Sequence, residues 1–280
     1  MLAHRGELID QMIRDLKAVD PAIPPGDIGV VRAELDDHHA PIVGATLQTL
    51  AKAHRRRALG RRDLIIWDEV HHAGAEGWHT TFEELGGYDD ALMCGFTATM
   101  RRSGRGRERI GLGDVIQKIS YEKDLRWAID NKYLVQPVGL TVRIDGLNAL
   151  NDVRTVAGDF HQTELAEVME AATEYVVDAI QKHAANRRPI IFGASVAASK
   201  AICDALNTSG VMTAEYTEGS HEDRKPIYDR FRSGETQALV TCMILTEGAD
   251  FPMCDSVVLA RPTRSPNLYS QMVGRALRLY

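Results

Sequence analysis

The chain is poor in cysteine and has no cysteine pair. Cys94, Cys203, Cys242 and Cys254 are scattered through 280 residues without a CxxC. That distribution speaks against a disulfide framework and for reduced, buried side chains acting as small hydrophobes. No apolar run nears the ~20 residues that a membrane-spanning helix needs. The opening residues, Met-Leu-Ala-His-Arg-Gly-Glu, hold no apolar core of leader-peptide length, so a cytoplasmic protein without a membrane partner is expected. With 10 prolines, 23 glycines and no low-complexity tract, the composition is not that of a disordered chain. Internal repeats at solenoid periods are also missing. An excess of positive charge is lacking too, the net charge being -6. A histone-like sheath for nucleic acid is thereby disfavoured, but an enzyme with a local basic track is not.

What is present is the pattern of a soluble α/β protein, 44% hydrophobic and 26% charged, long enough for two domains. Short β-branched runs predict strands at Ile28–Val31, Ile42–Ala45, Leu64–Trp67, Leu92–Phe96, Ile190–Phe192, Val211–Tyr216, Ala238–Cys242 and Val257–Ala260. Continuous apolar strands of this kind suit a parallel sheet covered on both faces. Between them, Leu165, Val168, Met169, Ala172, Val176, Ala179 and Ile180 follow helical spacing. A further helix over Glu222–Phe231 is expected to start from Ser220 as N-cap. Ser265 followed by Pro266 predicts the start of the last helix. The pattern weakens from Gln136 to Asp159, which places a domain junction near Pro137 and gives domains 1–136 and 137–280.

The chemistry concentrates at two places. Leu64-Ile65-Ile66-Trp67 runs into Asp68-Glu69-Val70-His71, so two acids emerge at a strand's carboxyl end, where parallel sheets bind ligands. An Asp there can hold Mg²⁺, and the adjacent Glu69 can orient and deprotonate a water. Near the chain's end, Gln271, Arg275 and Arg278 fall at i, i+4 and i+7 and predict one helical face, with Gly274 permitting close approach of another backbone. Two arginines so placed suit a triphosphate. Gly248 and Asp250 predict a tight loop after the Ala238–Cys242 strand, able to turn N–H groups to a phosphate. Arg55, Arg56, Arg57, Arg61 and Arg62, and again Arg101, Arg102, Arg105, Arg107 and Arg109, form basic clusters that read as solvated loops before any strand track. His71, His72 and His79 do not have zinc spacing, and His38-His39 reads as surface.

These segments resemble, in order, the motifs of a superfamily 2 helicase of the DExH type. Leu2-Ala3-His4-Arg5 resembles motif Ia, Thr46-Leu47-Gln48-Thr49-Leu50 motif Ib, and Asp68-Glu69-Val70-His71 motif II. Thr97-Ala98-Thr99 resembles motif III and Ile190–Ser195 motif IV. Val240-Thr241 with Thr246–Pro252 resembles motif V, and Gln271–Arg278 motif VI. The resemblance implies two RecA-like parallel-sheet domains and ATP hydrolysis with Mg²⁺, driving movement along single-stranded or duplex nucleic acid. Asp68 would hold the metal and Glu69 would be the general base. His71, Gly248, Asp250 and Gln271 would serve the nucleotide, Arg275 and Arg278 would sense its terminal phosphate across a cleft, and Thr97 and Thr99 would couple the two activities. Arg5, Gln48, Thr49, Gly219 and Thr241 are expected to line the nucleic-acid track. The Asp-Glu-Val-His tetrapeptide leans toward DNA.

One motif is missing from these residues. No GxxxxGK[ST] string occurs, and Gly193–Lys200 is a decoy with the wrong spacing. The expectation is a first domain incomplete at its start, either as a fragment or with a separate chain supplying the phosphate loop. The absent strand would sit mid-sheet beside the strand that bears Asp68, leaving the first domain poorly stable. Two other readings stay open: an ATPase-inactive nucleic-acid-binding protein, and the motor subunit of a restriction or repair nuclease, for which no nuclease motif is visible.

Overall fold

The computed structural model describes residues 1–72, 78–97, 115–143, 150–156, 158–219, 221–242 and 251–279. Ala98, Thr99, Arg101 to Arg109, Ser220 and the 243–250 segment with Gly248 and Asp250 lie outside them. Two compact units emerge, Met1–Tyr121 and Glu122–Tyr280.

The first unit follows the order β1 (Leu2–Ala3), α1 (Gly6–Val19), β2 (Ile28–Arg32), β3 (Leu35–Asp36), β4 (Ile42–Thr46), α2 (Leu47–Leu50), α3 (Ala53–Leu59), β5 (Leu64–Asp68), α4 (Trp78–Glu84) and β6 (Leu92–Phe96). Its sheet runs β3-β2-β4-β1-β5-β6. All pairs are parallel except β2 with β3. Trp67 and Phe82 are fully buried at the centre of its core with Ile65, Leu50 and Leu85, and Trp67 stacks on Trp78 at 5.6 Å. Aromatic pairs of this kind add to what area burial alone contributes.

The expectation of a gap beside the Asp68 strand is corrected here. β5 is hydrogen-bonded on both sides, to β1 through Leu2 and Trp67 and to β6 along its whole length. The open edge among the described residues is β6, where Leu92 is 70% and Phe96 56% exposed. The short strand β1 fills the centre because its two residues pair with both β4 and β5.

The second unit holds α5 (Leu125–Asp130), β7 (Thr155–Val156), β8 (Asp159–Phe160), α6 (Gln162–Ala171), α7 (Thr173–Ala184), β9 (Pro189–Gly193), α8 (Val196–Thr208), β10 (Ala214–Tyr216), α9 (His221–Ser233), β11 (Ala238–Thr241), β12 (Ser256–Ala260) and α10 (Pro266–Val273). Its parallel sheet runs β10-β11-β9-β12, and β7 and β8 form a separate antiparallel hairpin. Alternation along β9 explains its apolar run. Ile191 packs among Leu165, Ile180, Ile202 and Leu206, while Ile190 and Phe192 pack with Phe231, Phe251 and Met272. Both faces are covered, so every residue of this strand is apolar or small.

Three sequence-based expectations shift in this unit. The division falls before α5 and not near Pro137, because the segment after α5 is tied to the end of the chain: the Val135 N–H donates to the Leu277 carbonyl at 2.9 Å and Leu134 bridges Arg278. The helical run through Leu165 and Ile180 breaks at Ala172 into α6 and α7. The strand expected from Val211 begins at Ala214, where Asn207 of α8 accepts the Ala214 N–H and donates to its carbonyl. Among the described residues no helix is long and apolar enough to cross a membrane.

Gly44 is required by packing. A Cβ there would stand 2.6 Å from Cγ2 of fully buried Ile9, because α1 lies directly on β4. Gly44→Ala is expected to lower the unfolding free energy by about 1–3 kcal/mol, the usual cost of overpacking. Urea unfolding of parent and variant measures this, and an unchanged midpoint would show that α1 does not sit on β4.

Candidate functional site

Register places the acidic motif. Asp68 pairs with Phe96, so the residues that follow each strand, Glu69 and Thr97, leave the sheet side by side at its carboxyl edge. The backbone turns sharply there: Glu69 has φ +52, the left-handed region that costs a side-chain-bearing residue about 1–2 kcal/mol. Asp68 Oδ1 accepts the Glu69 N–H at 3.0 Å and stabilises the turn. A 3-10 turn over Val70–His72 then brings the His71 ring back. His71 Nδ1 lies 2.8 Å from Thr97 Oγ1 and 3.1 Å from Glu69 Oε2. The hydrogen bond is the one to Thr97. Glu69 Oε2 has no hydrogen-bond partner, so it approaches the ring without donor alignment. Asp68 and Glu69 are half-buried and His71 is buried, which removes competing water.

Among the described residues no three of His, Cys, Asp and Glu converge on one point. Asp68 offers a hard-oxygen carboxylate at the sheet edge. That fits Mg²⁺, which takes one or two carboxylates and completes its shell with water and substrate phosphates. It does not fit zinc or a protein-enclosed calcium.

A cleft of about 410 Å³ lies at the same sheet's carboxyl edge, lined by His4, Arg32, Glu34, Gln48, Thr49 and Lys52 among others. It gathers the motif Ia and Ib residues. Half-buried Arg5 precedes α1. Gln48 is exposed, and its amide donates to the His4 carbonyl. Thr49, in contrast, is 8% exposed, and its hydroxyl accepts both the Thr46 hydroxyl at 3.0 Å and the Ala33 N–H at 3.1 Å. Its hydroxyl is thus committed to the fold of the cleft wall.

The basic cluster before β5 is not a solvated loop. Arg56 is 8% exposed, donates to the Leu50 and Ala51 carbonyls at 2.7 and 2.8 Å, and grips the Glu84 carboxylate with two more bonds. That guanidinium holds the Glu84 carboxyl below its usual range. Arg62 caps the carbonyls of His38, Ala40 and Leu59, and Arg55 pairs with Asp36 at 2.7 Å. These arginines staple α2, α3 and α4 to the sheet, and periodicity could not distinguish them from surface charge.

In the second unit Thr241 ends β11, is fully buried, and has an Oγ1 without a hydrogen-bond partner. Gly219 has φ +79, and its carbonyl accepts from Arg224 at 2.8 Å. The single helical face expected for Gln271, Arg275 and Arg278 is corrected. The helix α10 stops at Val273 and a 3-10 turn, Gly274–Ala276, follows. Arg278 lies beyond that, bridged to Leu134, where burial pushes its guanidinium pKa down. Arg275 lies near Cys254 and opposes the burial that lifts that thiol to about 11. A Cβ at Gly274 would meet nothing within 4 Å, so no close approach depends on it. Cys203 and Cys254 are buried as expected, but Cys94 is exposed on the β6 edge and Cys242 only half-buried.

Two residues escaped the sequence reading. Asp159 Oδ2 accepts the Thr263 hydroxyl at 2.8 Å, and Oδ1 accepts the Arg264 and Phe160 N–H groups at 2.7 and 2.9 Å. These bonds hold its pKa below the usual carboxylate value, although burial alone would raise it. The hairpin β7–β8 is thereby pinned to the segment leading into α10, which Ser265 caps through the Leu268 N–H. The other is Arg261, an arginine that directly ends the apolar strand β12 and is only 4% exposed. A charge at that position of a strand end was the available signal.

Comparison with known proteins places this geometry. Residues 1–102 match the family model described as type III restriction enzyme, res subunit, and residues 167–280 match the helicase conserved C-terminal domain. The chain is 29% identical over 291 residues to a putative ATP-dependent helicase IRC3 of Saccharomyces cerevisiae, covering 100% of this chain and 41% of that protein. It spans less than two thirds of the length of this and the other leading relatives. The Pyrococcus furiosus Hef helicase domain superposes with TM-score 0.56 at 17% identity over 100% of this chain and 83% of that one. A fragment of a putative HsdR subunit of a type I restriction enzyme from Vibrio vulnificus superposes with TM-score 0.63 at 21% identity, covering 91% of this chain and 47% of that one. At these identities the likeness in structure is one of fold, two RecA-like domains in tandem.

The arginine staple gives a direct test. Arg56→Ala removes bonds to a carboxylate and two carbonyls and is expected to destabilise the chain by about 2–3 kcal/mol. Arg57→Ala, one residue on and exposed, should change stability by less than about 0.5 kcal/mol. Equal effects in urea unfolding would restore the solvated-loop reading.

Proposed function

We propose that this chain, which belongs to the superfamily 2 helicases, forms the working part of an ATP-driven nucleic-acid motor, a helicase or translocase acting on DNA. The observation that carries the reading is the arrangement at the carboxyl edge of β5 and β6. A strained turn presents the Glu69 carboxylate beside a buried histidine that is itself hydrogen-bonded to Thr97. Ala33 and Lys132 share that backbone region, so it is the convergence of Glu69, His71 and Thr97, and not the turn alone, that supports the reading.

In this reading Glu69 takes the proton from the attacking water, and the His71–Thr97 bond registers the state of that site on the strand after β6. Asp68 holds Mg²⁺, which neutralises charge on the nucleotide phosphates when bound. Gln271 and Arg275 are proposed contacts to the nucleotide phosphates. Arg278, set apart by burial, is assigned the weaker part. Gly248 and Asp250 keep their proposed nucleotide contacts, and Thr99 its coupling role, from the resemblance alone. Arg5, Gln48, Gly219 and Thr241 are proposed contacts to the strand, and Thr49 shapes the cleft that holds it. DNA is preferred to RNA on the Asp-Glu-Val-His tetrapeptide.

The match of residues 1–102 to a restriction-enzyme subunit family supports a second reading, the motor subunit of a restriction or repair nuclease. That version differs in what the motor is attached to and leaves the site chemistry unchanged. An ATPase-inactive strand-binding protein remains the rival from another class.

Two measurements decide among these. In a chain supplied with a GxxxxGK[ST] loop, Glu69→Gln is expected to keep ATP affinity and reduce turnover by about 10²–10⁴-fold, because it preserves shape and deletes the base. Equal turnover would reject Glu69 as the base, and no turnover in the parent would favour the inactive binder. Oligonucleotide affinity of the chain itself should fall steeply between low and moderate salt and depend little on sequence, since phosphates are the main contacts. Salt-independent or sharply sequence-selective binding contradicts the motor track.

A further inference from the structure

We propose that Asp159 is a positioning residue for the reaction, the side chain that sets where α10 begins and so where Gln271 and Arg275 come to lie. This deepens the motor reading and rests on it, since there those two residues contact the nucleotide. β12 ends at Ala260 and α10 starts at Pro266, so five residues of irregular chain separate the sheet from the helix. Periodicity does not fix such a segment. Its polar groups converge instead on one carboxylate, which lies 104 residues before Thr263 in the chain.

The bonds form a relay. The Thr263 hydroxyl donates to Asp159 Oδ2 at 2.8 Å, which leaves its oxygen turned to accept the Ser265 N–H at 3.0 Å. Oδ1 accepts the Arg264 N–H at 2.7 Å. Ser265 is the N-cap of α10: its side chain accepts the Leu268 N–H at 3.3 Å, and its carbonyl the Tyr269 N–H at 3.0 Å. Asp159 therefore acts on the first turn of α10 through Thr263 and Ser265. Its own place is set from the other side. Oδ1 also accepts the Phe160 N–H at 2.9 Å, and the Arg264 guanidinium donates to the Thr155 hydroxyl at 2.6 Å while lying 4.6 Å over the Phe160 ring. Arg154, just before the hairpin, is bound to Glu164 of α6. Leu268 and Met272 pack α10 against Phe231 and Phe251. Apolar packing is non-directional, so the hydrogen bonds at the cap decide the direction in which the helix leaves the sheet. Gln271 lies about 9 Å from the cap at ~1.5 Å per residue, and a tilt of about 10° at the first turn moves it by roughly 1.5 Å. A misplacement of about 1 Å can cost on the order of 10²-fold in rate.

The experiment has two arms. In the chain itself, amide hydrogen exchange is compared between the parent, Asp159→Ala and Asp159→Asn. Asp159→Ala is expected to speed exchange at the α10 amides by about 10-fold or more and to leave those of α8 within about 2-fold, because only the cap of α10 is released. Asn keeps an oxygen for the two N–H groups and should restore parental exchange. Unchanged α10 exchange in Asp159→Ala overturns the proposal, and so does loss of protection throughout the second unit, which would make Asp159 a general support of the fold. In the chain supplied with a GxxxxGK[ST] loop, Asp159→Ala should lower kcat by about 10–10²-fold with KM for ATP within about 3-fold, the pattern of a lost transition-state contact. In an Arg275→Ala background the same change should cost less than about 2-fold, since a positioning residue has nothing left to position. Independent losses in the double variant, or a loss as large in Asp159→Asn, overturn the proposal. No turnover in the parent rejects the motor reading and the reaction that Asp159 would serve, and faster α10 exchange in Asp159→Ala marks that failure as separate from failure of the relay.

Discussion

Parallel pairing of β5 with both of its neighbours is the constraint on which the first unit depends. Parallel strands put all their carboxyl ends on one edge, and register decides which residues emerge together. Because Asp68 is opposite Phe96, Thr97 leaves the sheet beside Glu69. The bond between His71 and Thr97 therefore joins residues 26 apart in sequence with no long loop to order. Moving β6 by one residue would turn Thr97 to the opposite face and leave the buried His71 without it. The arginine staples serve the same end. Arg56 and Arg62 bind carbonyls that the short helices leave unsatisfied, and so hold the layers that cover β5.

The second unit meets a related problem differently. Its central strand β9 has apolar contacts on both faces, and polar groups gather at strand ends and on the outer strand β10, where Glu215 pairs with Arg230. There the molecule divides them into two kinds. Asp159 is fully engaged and immobilises the approach to α10 with three accepted hydrogen bonds. Thr241 and Arg261 are buried with donors left over.

Legibility in the sequence followed the range of the interactions. The strands at Ile42, Ile190 and Ala238 were readable because burial on both faces demands continuous apolar runs, and those at Ile28, Leu64, Leu92 and Val257 because they share the same short apolar, largely β-branched pattern. Asp68, Glu69 and Thr97 were readable as strand-end residues for the same reason. The role of Arg56 was not, since a stapling arginine and a solvated one share the same local pattern. The break at Ala172 and the end of α10 at Val273 were also hidden: helical spacing continues past both points, and only tertiary contacts decide where a helix stops. The displaced Arg278 follows from that second break, because an i, i+7 argument holds only while one helix persists. The place of β1 at mid-sheet was missed because a two-residue strand carries no period at all.

The two units thus hold their functional groups by opposite means. Glu69 is held by strain: a left-handed backbone that glycine would adopt freely is imposed on a glutamate, and a carboxylate is fixed beside a buried histidine at the cost of local stability. Asp159 is held by hydrogen bonds, its two oxygens taking the three donors that fix the approach to α10. Glycine at position 69 would adopt that backbone without the cost that a side chain carries there. At Glu69 the strained backbone and the approach to a buried histidine coincide at one strand end, and it is this coincidence that distinguishes the residue from Ala33 and Lys132, which share only the backbone.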